Sequence, residues 1–489
     1  MNALKSPRRL KTEILAGLVV ALALIPEAIA FSIIAGVDPR IGLFASFTMA
    51  VSIAFLGGRP AMISAATGAI ALVIAPVVRE YGLDYFIATV IVAGVLQVTF
   101  GVLGVAKLMR FVPRSVMVGF VDALAILIFT SQFPALIGVP WLVYPLVAVG
   151  LVIMIALPKM TSVVPAPLVA IVLLTAAVVV FTWNVPNVGG EGELPTSLPG
   201  LFVPDVPLTF ETLRIIAPYA IAMAIVGLLE SLLTAKLVDD VTDTHSDKTR
   251  ESWGQGAANI ITGFFGGMGG CAMVGQTMIN VKASGARTRI STFLAGLFLL
   301  LLVVGLGDVV ALIPMAALAA VMIMVAIGTM DWHSIHPKTL RRMPLSETAV
   351  MVFTVVVTVA THNLAYGVIV GVLTAMVLFA RRVAHLTTVT KIADTDRDVW
   401  PDSCTYRVSG QLFFASSNDL VYQFDYLDDP KNVIIDLSGA KIWDASTVAA
   451  LDAITTKYAA KGKHAEIIGL DDISAERHLR LTGKLSAEH

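Results

Sequence analysis

The residues best suited to chemistry lie in two short stretches. Ser64, Ala65, Ala66, Thr67 and Gly68 fall within Ala61–Pro76 (AMISAATGAIALVIAP); Val274, Gly275, Gln276 and Thr277 fall within Gly269–Gly285 (GGCAMVGQTMINVKASG). Each stretch sits in a strongly apolar region, yet each is too short and interrupted to cross a bilayer as one helix, which takes about 20 apolar residues. A small extended run (Ala61–Ser64; Cys271–Val274) meets a polar, glycine-containing break (Thr67-Gly68; Gly275-Gln276-Thr277), and a helical pattern follows. Broken segments paired at corresponding places in two halves point to a transporter's binding site. A helix that starts at mid-membrane aims free N–H groups and the positive end of its dipole into the site. Two such ends could hold an oxyanion without a buried Arg, and neither break contains Lys or Arg. Gln276 and Thr277 would add hydrogen bonds. The plainer alternative is a Gly-rich helix-packing break.

Two acids lie inside apolar runs. Glu230 belongs to Ala217–Lys236 (APYAIAMAIVGLLESLLTAK), with Ser231 beside it and Thr234 four residues on, on the same helical face. An intramembrane carboxylate is costly and is a functional candidate by default. It could bind a cation together with the Thr234 hydroxyl, or take and release a proton. Glu27 follows Pro26 in the first apolar run. A second acid near an anion site makes sense when it is protonated or paired, and burial disfavours the charged form; Glu27 would then carry a proton alongside an anion. Phe31 could line the same cavity, although an aromatic residue in a span is more often packing. Lys282 is expected to snorkel to the surface, and His245, His333, His336 and His362 fall in loops with no metal-ligand spacing.

These residues must be positioned by membrane spans. The 489 residues are 57% hydrophobic and 14% charged, with mean hydropathy +0.83, against about 25% charged in soluble domains. No stretch reads as a cleavable signal peptide. Two cysteines, Cys271 and Cys404, imply no disulfide framework, and no Lys/Arg run suggests a nucleic-acid partner. Apolar runs follow one another from residue 13 to about 385, giving about 14 spans: 13–35, 42–57, 64–78, 84–107, 114–132, 142–157 and 165–183, then 211–236, 253–267, 275–285, 288–306, 309–328, 345–361 and 364–383. The Pro/Gly-rich break Asn184–Thr209 divides them into two sevens, and an odd number per half inverts the second half. With the N-terminus inside, the inner loops hold Lys5, Arg8, Arg9, Lys11, Arg59, Lys107, Arg110, Arg114, Lys159, Lys236, Lys248, Arg250, Arg287, Arg289, Lys338, Arg341, Arg342, Arg381 and Arg382. The outer side holds only Arg40, Arg79 and Arg214, as the cytoplasmic bias of basic residues requires.

After Thr387 the composition turns soluble. Thr405–Phe413 alternates like a strand, Asn432–Leu437 and His464–Leu470 read as strands, and Asp444–Lys461 has helical spacing with an Asp or Ser cap. Strand–helix–strand order implies a parallel sheet covered by helices.

Ile25–Phe47 (IPEAIAFSIIAGVDPRIGLFASF) resembles the signature of the SulP anion transporters, and NVIIDLSGAKIWDASTVAALD resembles the STAS domain that closes most SulP chains. The resemblance covers essentially the whole chain. It implies a membrane all-α fold, a seven-plus-seven inverted repeat with core and gate domains, followed by a soluble α/β STAS domain. The divisions expected are a cytoplasmic N-terminus (1–12), a transport domain (13–386, with repeats 13–183 and 211–383) and a STAS domain (397–489). It makes the two breaks the third and tenth spans, Glu230 a coupling-ion or proton site, and Thr67 the residue facing it. Glu27 departs from the Gln that many members carry, and GQT stands where some relatives place an Arg. Ala445 occupies the position that is phosphorylated in phosphoswitch STAS domains, so that switch is expected to be absent. No P-loop is present, which disfavours ATP-driven transport.

The reading that follows is a secondary active anion transporter of the bacterial inner membrane, not an enzyme, with no cofactor and no metal. The substrate would be a small inorganic or organic anion, a dicarboxylate or small oxyanion first. The coupling ion would be a proton, or alternatively sodium with bicarbonate or sulfate. A channel-like exchanger and a nucleobase permease are the remaining rivals. The family tendency implies a homodimer.

Overall fold

The computed structural model describes residues 7–104, 107, 112–160, 165–384, 387–392 and 403–483. Lys5 and Arg110, counted above among the inner-loop charges, lie outside them. The chain forms two compact units, Met1–Val372 and Leu373–His489, each described on its own terms.

The first unit is helical. Its core combines α1 (Pro7–Ala35), α2 (Pro39–Leu56), α3 (Gly68–Tyr81) and α4 (Leu83–Val102) with α8 (Phe210–Thr242), α9 (Lys248–Phe264), α10 (Val274–Met278) and α11 (Arg289–Gly305). The packing crosses between halves: α11 lies on α1 and α2, and α4 lies on α8 and α9. That exchange is the two-fold relation expected of inverted repeats. The remaining spans, α5 (Arg114–Thr130), α6 (Val143–Met160), α7 (Ala166–Val180), α13 (Met315–Thr329) and α15 (Leu345–Thr361), make the second layer, in which α5 packs on α13 and α15; α16 (Leu364–Ala384) runs across the boundary between the two units. Against the core, α13 touches α1 and α5 touches α3. Among the described residues, seven helices are long and apolar enough to span a membrane, and four more are apolar but shorter.

The span expected at 309–328 is in fact two helices, α12 (Gly307–Ala311) and α13. Pro314 causes the break, because its ring disfavours helix at the preceding residue. The freed backbone is taken up by the central connection: Val188 N–H donates to Ile313 O at 2.9 Å, and Met315 N–H to Pro186 O at 2.9 Å. A short α14 (Pro337–Arg342) precedes α15.

A few of the charges near the loops prove to be helix caps. The buried Glu13 carboxylate accepts the N–H groups of Arg287 (2.8 Å), Thr288 (3.1 Å) and Ser291 (3.2 Å) at the start of α11. At the end of α2, Arg289 donates to the carbonyls of Ala54 (3.2 Å) and Gly57 (2.6 Å), and Arg250 to those of Phe55 (2.9 Å) and Leu56 (3.2 Å). Carboxylate at an N-terminus and guanidinium at a C-terminus each complete orphan backbone groups and complement the dipole. Arg59 pairs with Asp239 near the end of α8 at 3.0 Å.

The second unit holds a four-stranded sheet in the order β3 (Thr388–Ile392), β4 (Ser403–Leu412), β5 (Asn432–Ile442), β6 (His464–Ile468). β3 is antiparallel to β4 and the other pairs are parallel. Helices α17 (Phe414–Leu420), α18 (Ala445–Ala459) and α19 (Asp472–Leu481) accompany it. The parallel β4–β5–β6 part is the expected one. β3 was not read from sequence, because an edge strand with little burial carries weak alternation. Asp444 caps α18 as anticipated, accepting Thr447 N–H at 3.0 Å; Ser446 is exposed.

Asp429 anchors this unit. Its side chain is fully buried and accepts from Tyr406 and Tyr458 hydroxyls and from Lys391 on β3. Burial alone would push its carboxyl up, but hydrogen bonds from Lys391, Tyr458 and Tyr406 outweigh it and hold it below the ordinary 3.8. A depressed carboxyl contributes stability above its unfolded value that is lost as pH falls through its folded one. Thermal melts of the C-terminal unit should therefore show Asp429→Ala destabilised by about 1–3 kcal/mol at neutral pH. The gap to wild type should close below roughly pH 4; a gap unchanged at pH 3 would contradict the assignment.

Candidate functional site

The two broken stretches meet. Residues Ser64–Ala65 (β1) and Cys271–Ala272 (β2) form an antiparallel pair, Ser64 opposite Ala272 and Ala65 opposite Cys271. Met273 N–H extends the pairing to Ile63 O at 2.9 Å. Only Gly fits at position 270, where a Cβ would stand 2.0 Å from Ala65 O. From this crossing α3 and α10 depart. Thr67 caps α3, accepting Ile70 N–H at 3.4 Å. α10 begins at Val274, one residue before the break read from sequence, so Gly275, Gln276 and Thr277 form its first turn rather than a turn before it. It passes into a π-helical turn, Ile279–Ala283.

Non-helical backbone at membrane depth needs every peptide group satisfied inside the protein. The surrounding polar side chains do this. Thr277 Oγ1 accepts Ile63 N–H (3.0 Å), Ser231 Oγ accepts Ala272 N–H (3.0 Å), and Ser46 Oγ accepts Ala66 N–H (3.3 Å). Asn280 donates to Ala61 O at 2.8 Å. Asn259 holds both the N–H and the C=O of Gly270, at 2.8 and 3.0 Å, and also donates to Gln97 at 2.8 Å. Gln255 donates to Ser64 Oγ at 2.7 Å and to Glu251 at 2.8 Å. Glu251, Gln255, Asn259 and Thr262 are buried along one face of α9. None of the four was singled out from sequence, although their spacing of three and four residues was a signal that could have been used.

Both acids reach the crossing. Glu230 Oε2 accepts from the Cys271 thiol at 2.9 Å, and that thiol lies 3.1 Å from Thr67 Oγ1. Thr67 therefore meets Glu230 through Cys271, a residue that the sequence reading had only counted. Ser231 is committed to β2. The Thr234 hydroxyl donates to the Glu230 carbonyl at 2.8 Å, so it bonds its own helix backbone rather than the carboxylate. Glu27, half-buried, accepts from Gln276 Nε2 at 3.0 Å. The other amide atom, Gln276 Oε1, is buried with no partner.

Openness separates the two helix ends. Ala65, Ala66, Thr67 and Gly68 are buried, and the Phe31 ring and Ile128 crowd Gly68, at 2.8 and 3.2 Å from where a Cβ would stand. At the other end Val274 is 39% exposed, and a Cβ on Gly275 would meet nothing within 4 Å. The first N–H groups of α10 have no intrahelical partner, and they lie beside Glu27 in this open part. The arrangement can accept a small anion at the α10 end, next to an acid that can hold or lose a proton. Lys282 is exposed, as are His333, His336 and His362, and no cluster able to hold a metal occurs among the described residues.

Residues 10–143 and 139–356 match the sulfate permease family, and residues 392–487 match the STAS domain. YbaR of Bacillus subtilis (strain 168), named for sulfate transport, is 53% identical over 465 residues, 95% of this chain and 95% of that protein. The bicarbonate transporter BicA of Picosynechococcus is 27% identical, covering 94% of this chain and 89% of its own length. In fold the chain is similar to murine Slc26a9, an anion transporter, with TM-score 0.81 at 17% identity over 96% of this chain and 87% of that one.

Space at the crossing makes a paired prediction. Gly270→Ala, driven into Ala65 O, should cost roughly 1–3 kcal/mol or more and lower the melting temperature of the detergent-purified protein. Gly275→Ala, in open space, should melt with wild type. Equal melting of the two variants would contradict the close crossing.

Proposed function

The chain belongs to the sulfate permease family of anion transporters, and we propose that it works as a proton-coupled symporter of a small oxyanion or dicarboxylate in the bacterial inner membrane. The anion sits between the N-termini of α3 and α10, within reach of Phe31, Ser64–Gly68 and Val274–Thr277. The transport part occupies 13–386 and the STAS part 397–489, with the N-terminus and STAS domain cytoplasmic and the protein a homodimer. The loop charges support this orientation. The relatives named for sulfate and bicarbonate keep both anions as candidates.

The observation that carries the reading is the 3.0 Å bond between Glu27 and Gln276, in the first turn of α10 beside the open Val274 and Gly275. An ionised Glu27 repels an anion on that helix end; a protonated one does not, so anion and proton bind together. Gln276 suits both states. Its Nε2 serves a carboxylate, and with the amide turned over its Oε1 accepts from a carboxylic acid. Glu230, tied through Cys271 to Thr67, links the protonation state of α8 to the crossing itself. Rocking of the core against the α5–α7, α13–α15 layer then exposes the site to either side. The rival is sodium held by Glu230, Thr234 and Thr67; the Thr234 hydroxyl donates to the Glu230 carbonyl and keeps its lone pairs, so the driving gradient decides between the two.

Uptake into proteoliposomes from a panel of sulfate, bicarbonate and dicarboxylates, driven by an imposed proton or sodium gradient, tests this. A proton gradient should drive accumulation and a sodium gradient should not. Glu230→Gln should abolish coupled uptake in a folded protein, and Glu27→Gln should remove the rise of uptake with acidity. Accumulation driven only by sodium, or proton-driven uptake unchanged in both variants, sinks the proton model.

A further inference from the structure

A cavity of about 1230 Å³ opens between α1, α3 and α8 on one side and α5, α13 and the α15–α16 turn on the other. Its floor is apolar (Ala30, Leu72, Val73, Leu127) and its rim carries Arg79 and Arg214. Arg214 stands 25 residues before Asp239 on α8, roughly 35–40 Å along the axis at 1.5 Å per residue, so this cavity is at the end opposite the Arg59–Arg250–Arg289 caps.

These two arginines differ from the others in the unit that have assigned partners. Arg40 and Arg59 are ion-paired, and Arg250, Arg287 and Arg289 donate to backbone carbonyls. Among the described residues, neither Arg79 nor Arg214 has an ion-pair or hydrogen-bond partner, and both are exposed. They are also two of the three basic residues that break the inner bias of the loop charges. Arg79 lies in the last turn of α3, where it complements the dipole. Arg214 lies near the N-terminus of α8, where a cation adds to the positive end instead of cancelling it. Glu211 on the same rim offsets one of the two charges, leaving the lining residues net positive, and the exposed Glu80 adjoins Arg79 in the last turn of α3. Tyr219, Tyr366, Asn363 and Gln132 add donors around it.

The floor leads to the central site. Leu72 is one helical turn beyond Gly68, and Gly68 is covered by Phe31 and Ile128. We propose that this outer cavity is a capture site for a small oxyanion, held by Arg79 and Arg214 about three turns of α3 beyond Gly68, with Phe31 and Ile128 closing the passage between the two. Guanidinium is the side chain suited to oxyanions.

This rests on the anion-transport reading, but its first test does not need transport. Modification of the full-length protein by phenylglyoxal, mapped by mass spectrometry, reads each arginine separately. Sulfate, succinate or bicarbonate should slow modification of Arg79 and Arg214 at least about twofold, with exposed Arg341 unchanged and chloride of equal ionic strength ineffective. No protection by any of the three, or equal slowing at Arg341, overturns the site. In uptake, Arg79→Gln and Arg214→Gln should each raise the half-saturating external anion about twofold to fivefold with the maximal rate kept, and Arg79→Lys should recover part of it. Unchanged half-saturation in both Gln variants also overturns the proposal, whereas failure of uptake in the wild type would count against the transport reading alone.

Discussion

Everything at the centre of this molecule depends on two residues of one half pairing with two of the other, Ser64–Ala65 with Cys271–Ala272. A bilayer offers no water to unpaired peptide groups, so a chain that stops being helical at mid-depth must find partners within itself. The pairing supplies some of them. Thr277, Ser231, Ser46, Asn280, Asn259 and Gln255 supply the rest, drawn from both halves. The inverted repeat is thereby a local necessity as well as a global symmetry: neither half-span can satisfy its own backbone alone. Two positive helix ends at mid-depth are the by-product of that solution.

The same crossing gives the two acids different neighbourhoods. Glu230 is enclosed, and its hydrogen bond passes through the Cys271 thiol to the cap of α3. Glu27 is half-buried and bonded to the first turn of α10 on the open side. A charge change at the first acts on the scaffold, and one at the second acts on whatever occupies the opening.

Several charges elsewhere serve the helix ends. Glu13, Arg250 and Arg289 complete helix ends that would otherwise be orphaned, and Arg59 answers Asp239. Among the loop cations, Arg59, Arg250, Arg287 and Arg289 are part of the framework of the folded chain. Arg79 and Arg214 are the contrast: two guanidinium groups without partners among the described residues, facing one cavity.

Much of this was legible in the sequence. Apolar runs, their interruption at Thr67-Gly68 and Gly275-Gln276, and acids inside spans are properties of consecutive residues, and burial in a bilayer punishes exceptions so heavily that each exception is informative. The parallel strands of the C-terminal unit and the Asp444 cap followed from local pattern in the same way. Local pattern failed where a partner decides: the Pro314 break is stabilised by Pro186 and Val188, and β3 is defined by its neighbour β4. Glu251, Gln255 and Asn259 looked like ordinary polar residues until their partners, Ser64 and Gly270, came within reach. Thr67 and Glu230 were expected to face each other, but only the fold could insert Cys271 between them. Hydropathy and spacing act along the chain and are written in it. Hydrogen bonds between residues some 200 positions apart act through space, and the tertiary structure alone decides them.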